Sequence, residues 1–391
     1  MQALASCAAA ALVGAAVAAP APLALTESQQ LAIERSRQVA AYDSAIAAAR
    51  DMAAAAAQLP EPTLKLGVDR LPIEGADGSS FGRNVNTIAR TGLTRQPLSP
   101  EMRQAIAERY AREADLVAAQ KIATSVDIAR QTALAWFECY YVEQMTRVAS
   151  DQLKVAQVEV EGAERMYWAG RLTQAEFYAT RSILVLFEDK SGELEHRGRA
   201  ARIALKRWVG DAGDAPLAAL PNIDRILLRP AALEGDLTRH PEVALLDKQA
   251  DIAASDVRVA QADRQSPPEI AATLAKRDEA RAARDEKLRT EVAETRNRIE
   301  EWQHARERRD RYTGQLVPLA RERTLATLVA YRGGKASLTD ALASRRAETE
   351  AQMQSVEMER EVARMWTRIN FALPDALPAA SHAPSSEERA R

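Results

Sequence analysis

The chain has 391 residues, of which 53 are basic and 55 acidic, for a formal net charge of −2. Apolar residues make up 47% of the sequence but aromatic residues only 5%, a composition typical of long helices or coiled coils. The balanced charge lacks the basic excess of a nucleic-acid-binding protein. Two cysteines, Cys7 and Cys139, and four scattered histidines provide neither a disulfide framework nor a metal-ligand motif, so no cofactor is expected.

The N-terminus has the pattern of an export signal. Residues 3–19 are almost wholly small and apolar, and the A-V-A sequence at 16–18 matches a cleavage site, which predicts a signal peptide over residues 1–19. The usual basic n-region is missing, and L-A-S-C ending at Cys7 resembles a bacterial lipobox, so lipidation of this cysteine stays an alternative. After this segment no run of about 18 apolar residues occurs, so any membrane crossing has to be made by strands.

The first half of the chain predicts a long helical hairpin. Thr26 as N-cap, with Gln29 three residues later, has the pattern of a capping box that opens a helix ending near residue 58. The absence of proline from 101 to 214 predicts a helix over about 101–168 and a return helix over about 173–209. The two shorter helices together match the long one in length, so we expect them to stack end to end along it.

The second half repeats this plan. Its sequence predicts helices over about 242–264, 271–332 and 337–372, with a kink in the middle one at Pro318. We therefore divide the chain into a first structural repeat over 20–210 and a second over 211–373. The tail over 374–391 is rich in Pro, Ala and Ser and is expected to be disordered.

A repeated motif marks the tips of the two hairpins. The segments beginning at Tyr167 and Tyr331 both read Y-x-x-G-x-x-[ST]-x-x-[DE], 164 positions apart. The pattern places a glycine at the left-handed end of one helix and an N-cap residue followed by an acid at the start of the next. These residues are Gly170, Thr173 and Glu176 in the first copy and Gly334, Ser337 and Asp340 in the second. Two copies of one pattern predict a duplicated hairpin.

A pair of strands is predicted in the first half only. Residues 64–69 and 85–94 alternate apolar and polar side chains around a turn-rich loop, which predicts a strand hairpin over 63–96. The pattern is that of a transmembrane β-strand, with an exposed hairpin of a soluble protein as the alternative. The matching segment of the second half, 265–270, resembles 59–62 but continues as helix, so the second hairpin is expected to be missing.

Together these features resemble the TolC-like outer membrane factor family, over about residues 24–374. The sequences L-G-V-D-R-L-P at 66–72 and A-Y-R-G-G-K-A-S-L at 330–338, with the linker at 97–100, look most like its heavy-metal cation-efflux branch. The resemblance implies a mainly α fold of long antiparallel helical hairpins in duplicated arrangement. Three copies would form a coiled-coil tunnel (an α-barrel), with the short β-hairpin contributing to an outer-membrane β-barrel.

The family resemblance also implies a function without enzymatic chemistry. Its members are outer-membrane efflux channels, the exit ducts of tripartite, RND-type export systems, with a large periplasmic portion. The implied partners are two further copies of the chain, a periplasmic adaptor (membrane fusion) protein, an inner-membrane RND transporter and outer-membrane lipid. The implied cargo is heavy-metal cations.

Roles for tip residues follow from the same resemblance. Tyr331 and Asp340 match a gating tyrosine and an aperture acid at the periplasmic mouth, and Glu176 matches the acidic partner on the first tip. Contacts with the adaptor are implied for residues of both tips: Gly170, Leu172, Thr173, Gly334 and Ser337. Turn formation alone is the alternative for each of them. Ala336 and Ala343 stand where some members carry a gating arginine and a second acid. The hydrogen bonds that close the gate in those members are therefore not all expected in this chain.

The strand count leaves a second function open. Family members contribute four strands per chain, whereas two strands per chain give a trimer only six, fewer than the eight of the smallest single-chain outer-membrane barrels. The alternative is therefore a non-conducting periplasmic coiled-coil scaffold or a degenerate efflux protein. An enzyme is a third hypothesis, based on Cys139, but this thiol lies mid-helix without a nearby base in sequence and is expected to be a packed residue.

Overall fold

The computed structural model describes residues 21–58, 63–69, 88–94 and 98–377. The predicted signal peptide and lipobox lie outside these residues. Within them the chain forms, in order, α1 (Leu25–Arg35), α2 (Arg37–Ala57), β1 (Thr63–Asp69), β2 (Ile88–Thr94), α3 (Pro100–Trp168), α4 (Gln174–Val209), α5 (Leu233–Leu237), α6 (Pro241–Ala262), α7 (Pro267–Arg311), α8 (Val317–Arg332) and α9 (Leu338–Asn370). None of the helices in this part of the chain combines the length and apolarity needed to cross a membrane.

The long helix α3 packs against α1, α2, α4, α6 and α9. Its 69 residues extend about 100 Å at 1.5 Å per residue. The hydroxyl of Ser99 accepts a hydrogen bond from the Met102 N–H at 3.1 Å and caps the helix, and Pro100 takes the first helical position, where its missing N–H costs nothing. The predicted bounds of α3 and of its return helix α4 are confirmed to within a residue or two.

The opening helix is two helices rather than the predicted one. Ser36 is extended between them, with φ −72° and ψ 110°, and its hydroxyl caps α2. The predicted capping box is also wrong, because the N-cap of α1 is Ala24 and not Thr26. Gln29 is fully buried and donates a hydrogen bond to the Ala129 carbonyl at 3.0 Å. Its amide therefore anchors α1 on α3 instead of capping α1.

The predicted middle helix of the second half is interrupted. A π-helical turn, Tyr312–Leu316, separates α7 from α8 just before Pro318. The Pro318 ring would crowd the carbonyl of Gly314, and it lacks an N–H to donate. A wider turn relieves this crowding, so the effect of the proline lies one turn upstream of the residue itself.

A core shared by both halves lies near the middle of α3. Trp136, Phe137 and Tyr141 of α3 are buried there, and the Phe137 ring meets the edge of Trp366 from α9 at 5.9 Å between centroids. The Trp136 indole N–H donates to the Leu23 carbonyl at 3.0 Å. Several of the chain's few aromatic residues thus lie where the helices of the two repeats meet.

The strand pair and its counterpart in the second half differ. β1 and β2 pair antiparallel, with Thr63 opposite Thr94 and Asp69 opposite Ile88, and the residues predicted to join them lie outside those the structure describes. In the second half α6 and α7 are joined by only four residues, 263–266. Arg109 near the start of α3 pairs with Asp256 near the end of α6 at 2.5 Å, so this short turn lies at the same end of α3 as the strands.

The turn between α6 and α7 is closed by local hydrogen bonds. Arg264 takes a left-handed conformation, with φ 55°. The Gln265 N–H donates to the Ala260 carbonyl at 3.1 Å, which completes the α6 terminus. Ser266 and Glu269 then form a capping box that starts α7.

Order extends past the predicted boundary of the C-terminal tail. Pro374–Ala376 form a 3₁₀ helix, and Asp375 pairs with Arg239 at 2.5 Å. The prediction of disorder from residue 374 is therefore wrong for these first residues. Residues 378–391 lie outside the described part of the chain.

Candidate functional site

Both hairpin tips end their first helix in the same way. Gly170 and Gly334 each take φ 71°, as predicted, and their N–H groups donate to the carbonyls of Tyr167 and Tyr331, both at 2.9 Å. The following N–H donates to the carbonyl five residues back, at 2.9 Å from Arg171 in the first tip and 2.8 Å in the second. This pair of bonds is the Schellman motif, which satisfies the last carbonyls of a helix.

Capping boxes start the second helix of each tip. The Glu176 carboxylate accepts hydrogen bonds from the N–H and the hydroxyl of Thr173, at 3.0 and 2.6 Å. The Asp340 carboxylate accepts the same two bonds from Ser337, at 3.1 and 2.7 Å. These bonds lower the pKa of both carboxyl groups, the hydroxyl bond having the larger effect. Both acids therefore remain ionised at neutral pH.

Each predicted gate residue has a partner within the chain. The acids are engaged at their own N-caps, and the Tyr331 hydroxyl lies 3.7 Å from the sulfur of Met166 on α3. This last contact places the second tip directly against the first. The structure thus brings the two tips together, while Tyr331, Asp340 and Glu176 bond to groups other than one another.

The predicted adaptor contacts differ in accessibility. Gly170, Thr173, Gly334 and Ser337 are exposed. Leu172 is only 9% exposed, so its side chain packs inside the tip. Turn formation and packing account for this leucine, and direct contact of its side chain with a partner has no support.

Two features near the tips were not found from the sequence. Arg345 of α9 forms an ion pair with Glu159 of α3, with Nε 2.7 Å from Oε1. Burial raises the pKa of Glu159 despite this cation. The second feature is the exposure of Trp168, which reaches 78%. No local pattern in the sequence identifies Glu159 as the partner of Arg345, which lies 186 positions away.

The described residues contain neither a cluster suited to a metal ion nor a reactive thiol. No group of three His, Cys, Asp or Glu side chains there is arranged to hold a metal ion. Cys139 is 1% exposed, and burial raises the pKa of its thiol to about 12. This thiol stays protonated and packed, so it is no candidate nucleophile.

Searches of protein-family models and of curated proteins give no match to the sequence. Solved structures do match. The outer-membrane channel OprN has a TM-score of 0.73 and 15% identity, over 90% of this chain and 89% of that one. CusC, described for its transmembrane channel formation, has a TM-score of 0.74 and 13% identity, over 89% and 91%. The Campylobacter jejuni outer-membrane channel CmeC has a TM-score of 0.73 and 12% identity, over 93% and 88%.

These similarities establish the fold. The chain has the architecture of long-helix outer-membrane channels over nearly its whole length, which agrees with the long helices expected from the sequence resemblance. OprN and CmeC, which share this fold, are described as outer-membrane channels. Identities of 12–15% leave the activity of this chain to be argued from its own residues.

Proposed function

We propose that this chain is the outer-membrane channel component of a tripartite, RND-type export system. One observation carries the proposal, namely the agreement of its fold with outer-membrane channels over about nine-tenths of both chains. In this role three copies form the duct, the β1–β2 strand pair belongs to the outer membrane, and the helices extend into the periplasm. The segment 1–19 directs export.

The partners and cargo follow from the family resemblance. The hairpin tips face a periplasmic adaptor protein, which joins the duct to an inner-membrane RND transporter. Heavy-metal cations are the proposed cargo, from the similarity of residues 66–72 and 330–338 to the cation-efflux branch. The duct is their passage and needs no resident metal site.

The periplasmic gate is proposed at the tips. Tyr331 contributes through its contact with α3, and Glu176 and Asp340 contribute negative charges, as carboxylates whose pKa the capping bonds lower further below neutral pH. The adaptor contacts are assigned to exposed residues of both turns, which are Gly170, Thr173, Gly334 and Ser337.

A second function is favoured by the turn between α6 and α7. This four-residue turn stands at the end of α3 where the first half carries its strands, so the second strand hairpin of the family is proposed to be lost. A chain with a single strand pair fits a non-conducting periplasmic scaffold, or a degenerate efflux protein, as well as a duct.

Conductance separates the two functions. The detergent-extracted protein is reconstituted in a planar lipid bilayer, and its single-channel current is recorded. Stable conductance steps are expected for the duct. A folded, helical trimer without conductance would contradict the channel and support the scaffold.

A further inference from the structure

A histidine and a glutamate are buried together where α6 begins. His240, the N-cap residue of α6, is 8% exposed, and Glu291 of α7 is 4% exposed. Nε2 of His240 lies 3.7 Å from Oε2 of Glu291, which is longer than a hydrogen bond. The chain's own helices enclose both side chains, so assembly with further copies can only deepen their burial.

The carboxylate of Glu291 already has cations from its own helix. Lys287 Nζ lies 2.9 Å from Oε1, and Arg298 Nη1 lies 3.7 Å from Oε2. Lys287 also pairs with Glu242 on the first turn of α6, so it ties the two helices together. A positive charge on His240 would therefore be a third cation beside one buried carboxylate.

The neighbouring helices supply no free anion for the imidazole. His240 follows α5, and α6 packs on α3 and α7. On α3, the positive charge of Arg130 reaches Glu242. On α5, Asp236 pairs with two arginines, Arg229 at 3.3 Å and Arg239 at 4.0 Å. Within the described part of the chain, the carboxylates around His240 are thus already matched by basic side chains.

Protonation of the ring would also leave a buried donor unpaired. A neutral imidazole has one N–H, whereas the protonated ring has a donor at both nitrogens. Nδ1 of His240 is buried and has no hydrogen-bond partner among the residues that the structure describes. Burial has the largest effect on the pKa of His240 and lowers it, which Glu291 opposes and Lys287 reinforces. The neutral ring is the form that this site accommodates.

The imidazole lies at a joint of the second repeat. The N–H of His240 donates to the Leu237 carbonyl at 3.0 Å, and its carbonyl accepts the Ala244 N–H at 2.9 Å, so this residue links α5 to α6. Pro241 and Val243 beside it are buried, and Val243 belongs to the shared core. Displacement of the ring would therefore disturb the start of α6 and its packing on α7.

We propose that His240 is an acid-sensitive latch, which holds the start of α6 on α7 while its imidazole is neutral and releases it when the ring is protonated. The inference goes beyond the proposed function, because it concerns contacts within one chain and applies to the duct and the scaffold alike. It makes the second repeat responsive to the acidity of the surrounding compartment. Since the folded state binds the proton less tightly than the unfolded chain, local stability is lost as pH falls below the ordinary pKa of histidine, about 6.5.

Hydrogen–deuterium exchange measures the release. The full-length, detergent-solubilised protein is exchanged at pH 7.5 and at pH 5, the rates are corrected for the intrinsic effect of pH, and the segment 242–250 is followed by mass spectrometry. Its protection is expected to fall about 3-fold or more at pH 5, within the limit of about 30-fold that one proton sets over this range. The α2 segment 44–55, which contains no histidine, is the internal reference and should keep its protection.

Two histidine variants separate the latch from a general effect of acid. His240→Gln, which keeps a neutral polar side chain, is expected to abolish the loss of protection. His304→Gln is the matched control, since this histidine of α7 is exposed, and it should keep the loss. No loss in the wild type, or an equal loss in His240→Gln, would overturn the proposal. Greater protection of the wild type at pH 5 would also overturn it, because the protonated ring would then be a better partner for Glu291.

Lys287→Met decides the case where His240→Gln does not fold. Without this cation, the Glu291 carboxylate is able to pair with a protonated His240, so the loss of protection at pH 5 is expected to shrink. A loss as large as that of the wild type would overturn the proposed competition between cations. Exchange within the chain is independent of bilayer conductance, so failure of the latch and failure of the channel function are distinguishable.

Discussion

The ion pair between Arg345 and Glu159 ties the second hairpin to α3 close to the tips. The two side chains are 22% and 23% exposed. On α3 the carboxylate is flanked by the buried alanines Ala156 and Ala163, so the α3 side of this seam presents small side chains. The pair is therefore expected to be a principal specific contact of the seam.

Arg345→Met removes the cation and keeps most of the side-chain stem. The Glu159 carboxylate is then left in the seam without its partner. Removing one member of a fully buried ion pair costs about 3–5 kcal/mol, and solvent reaches about a fifth of each side chain here. We therefore expect the free energy of unfolding at pH 7.5 to fall by about 2 kcal/mol.

The stability lost in Arg345→Met should be smaller at acidic pH than at pH 7.5. Burial already raises the pKa of Glu159 in the folded protein, and Arg345 opposes that effect. Without Arg345 the folded-state pKa rises further, so the folded state binds the proton more tightly than the unfolded chain does. Stability relative to wild type is then regained as pH falls through the raised pKa towards its ordinary value.

Guanidinium unfolding, followed by circular dichroism in detergent at pH 7.5, 6 and 5, measures this difference. Lys190→Met is the control, since its pair with Glu193 is exposed and is expected to contribute less than about 1 kcal/mol. Glu159→Gln should cost less than Arg345→Met, because it leaves no buried anion. A loss in Arg345→Met that is the same at pH 5 and pH 7.5 would refute the reasoning.

Three further outcomes are expected. Gly334→Ala should lower the free energy of unfolding by about 1–2 kcal/mol, because no atom lies within 4 Å of the added Cβ and only the φ of 71° opposes the substitution. Arg264→Gly should raise it by up to about 1 kcal/mol in the same denaturation assay, because it removes a non-glycine residue from a left-handed conformation. Equal effects of the two substitutions would contradict this role of the backbone conformation. Ser337→Ala should raise the pKa of Asp340, observed by carboxyl ¹³C NMR, because it removes the hydroxyl bond that lowers it; an unchanged titration would argue against the capping box. Glu138→Gln should cost about 2 kcal/mol, because this carboxylate accepts bonds from arginines of both α4 and α9; a thermal midpoint equal to wild type would exclude such a bridge.

The helices and tips were predictable because their determinants are local. The absence of proline set the bounds of α3 and α4, and the Gly170 and Gly334 motifs set the turns. Each signal acts through hydrogen bonds within a few residues of itself. A single sequence is sufficient to place them.

Local signals failed where a distant partner competed for the same side chain. Gln29 had the right spacing for a capping box, but a bond to the Ala129 carbonyl, a hundred positions away, took its amide. Pro318 was identified as a disruption, yet the backbone placed the wider turn upstream at Tyr312–Leu316. In both cases packing against another helix or the preceding turn decided the outcome.

The candidate site also combines features set by local sequence with features set by distant partners. The sequence by itself determined which residues form the tips and which carboxylates cap them, since a capping box needs only four residues of chain. Only the tertiary structure decided that Leu172 is buried while Trp168 is exposed, and that Arg345 meets Glu159. Exposure and pairing depend on which helices come to lie side by side, and the residues that bring them together include the shared core near the middle of α3, far from the tips.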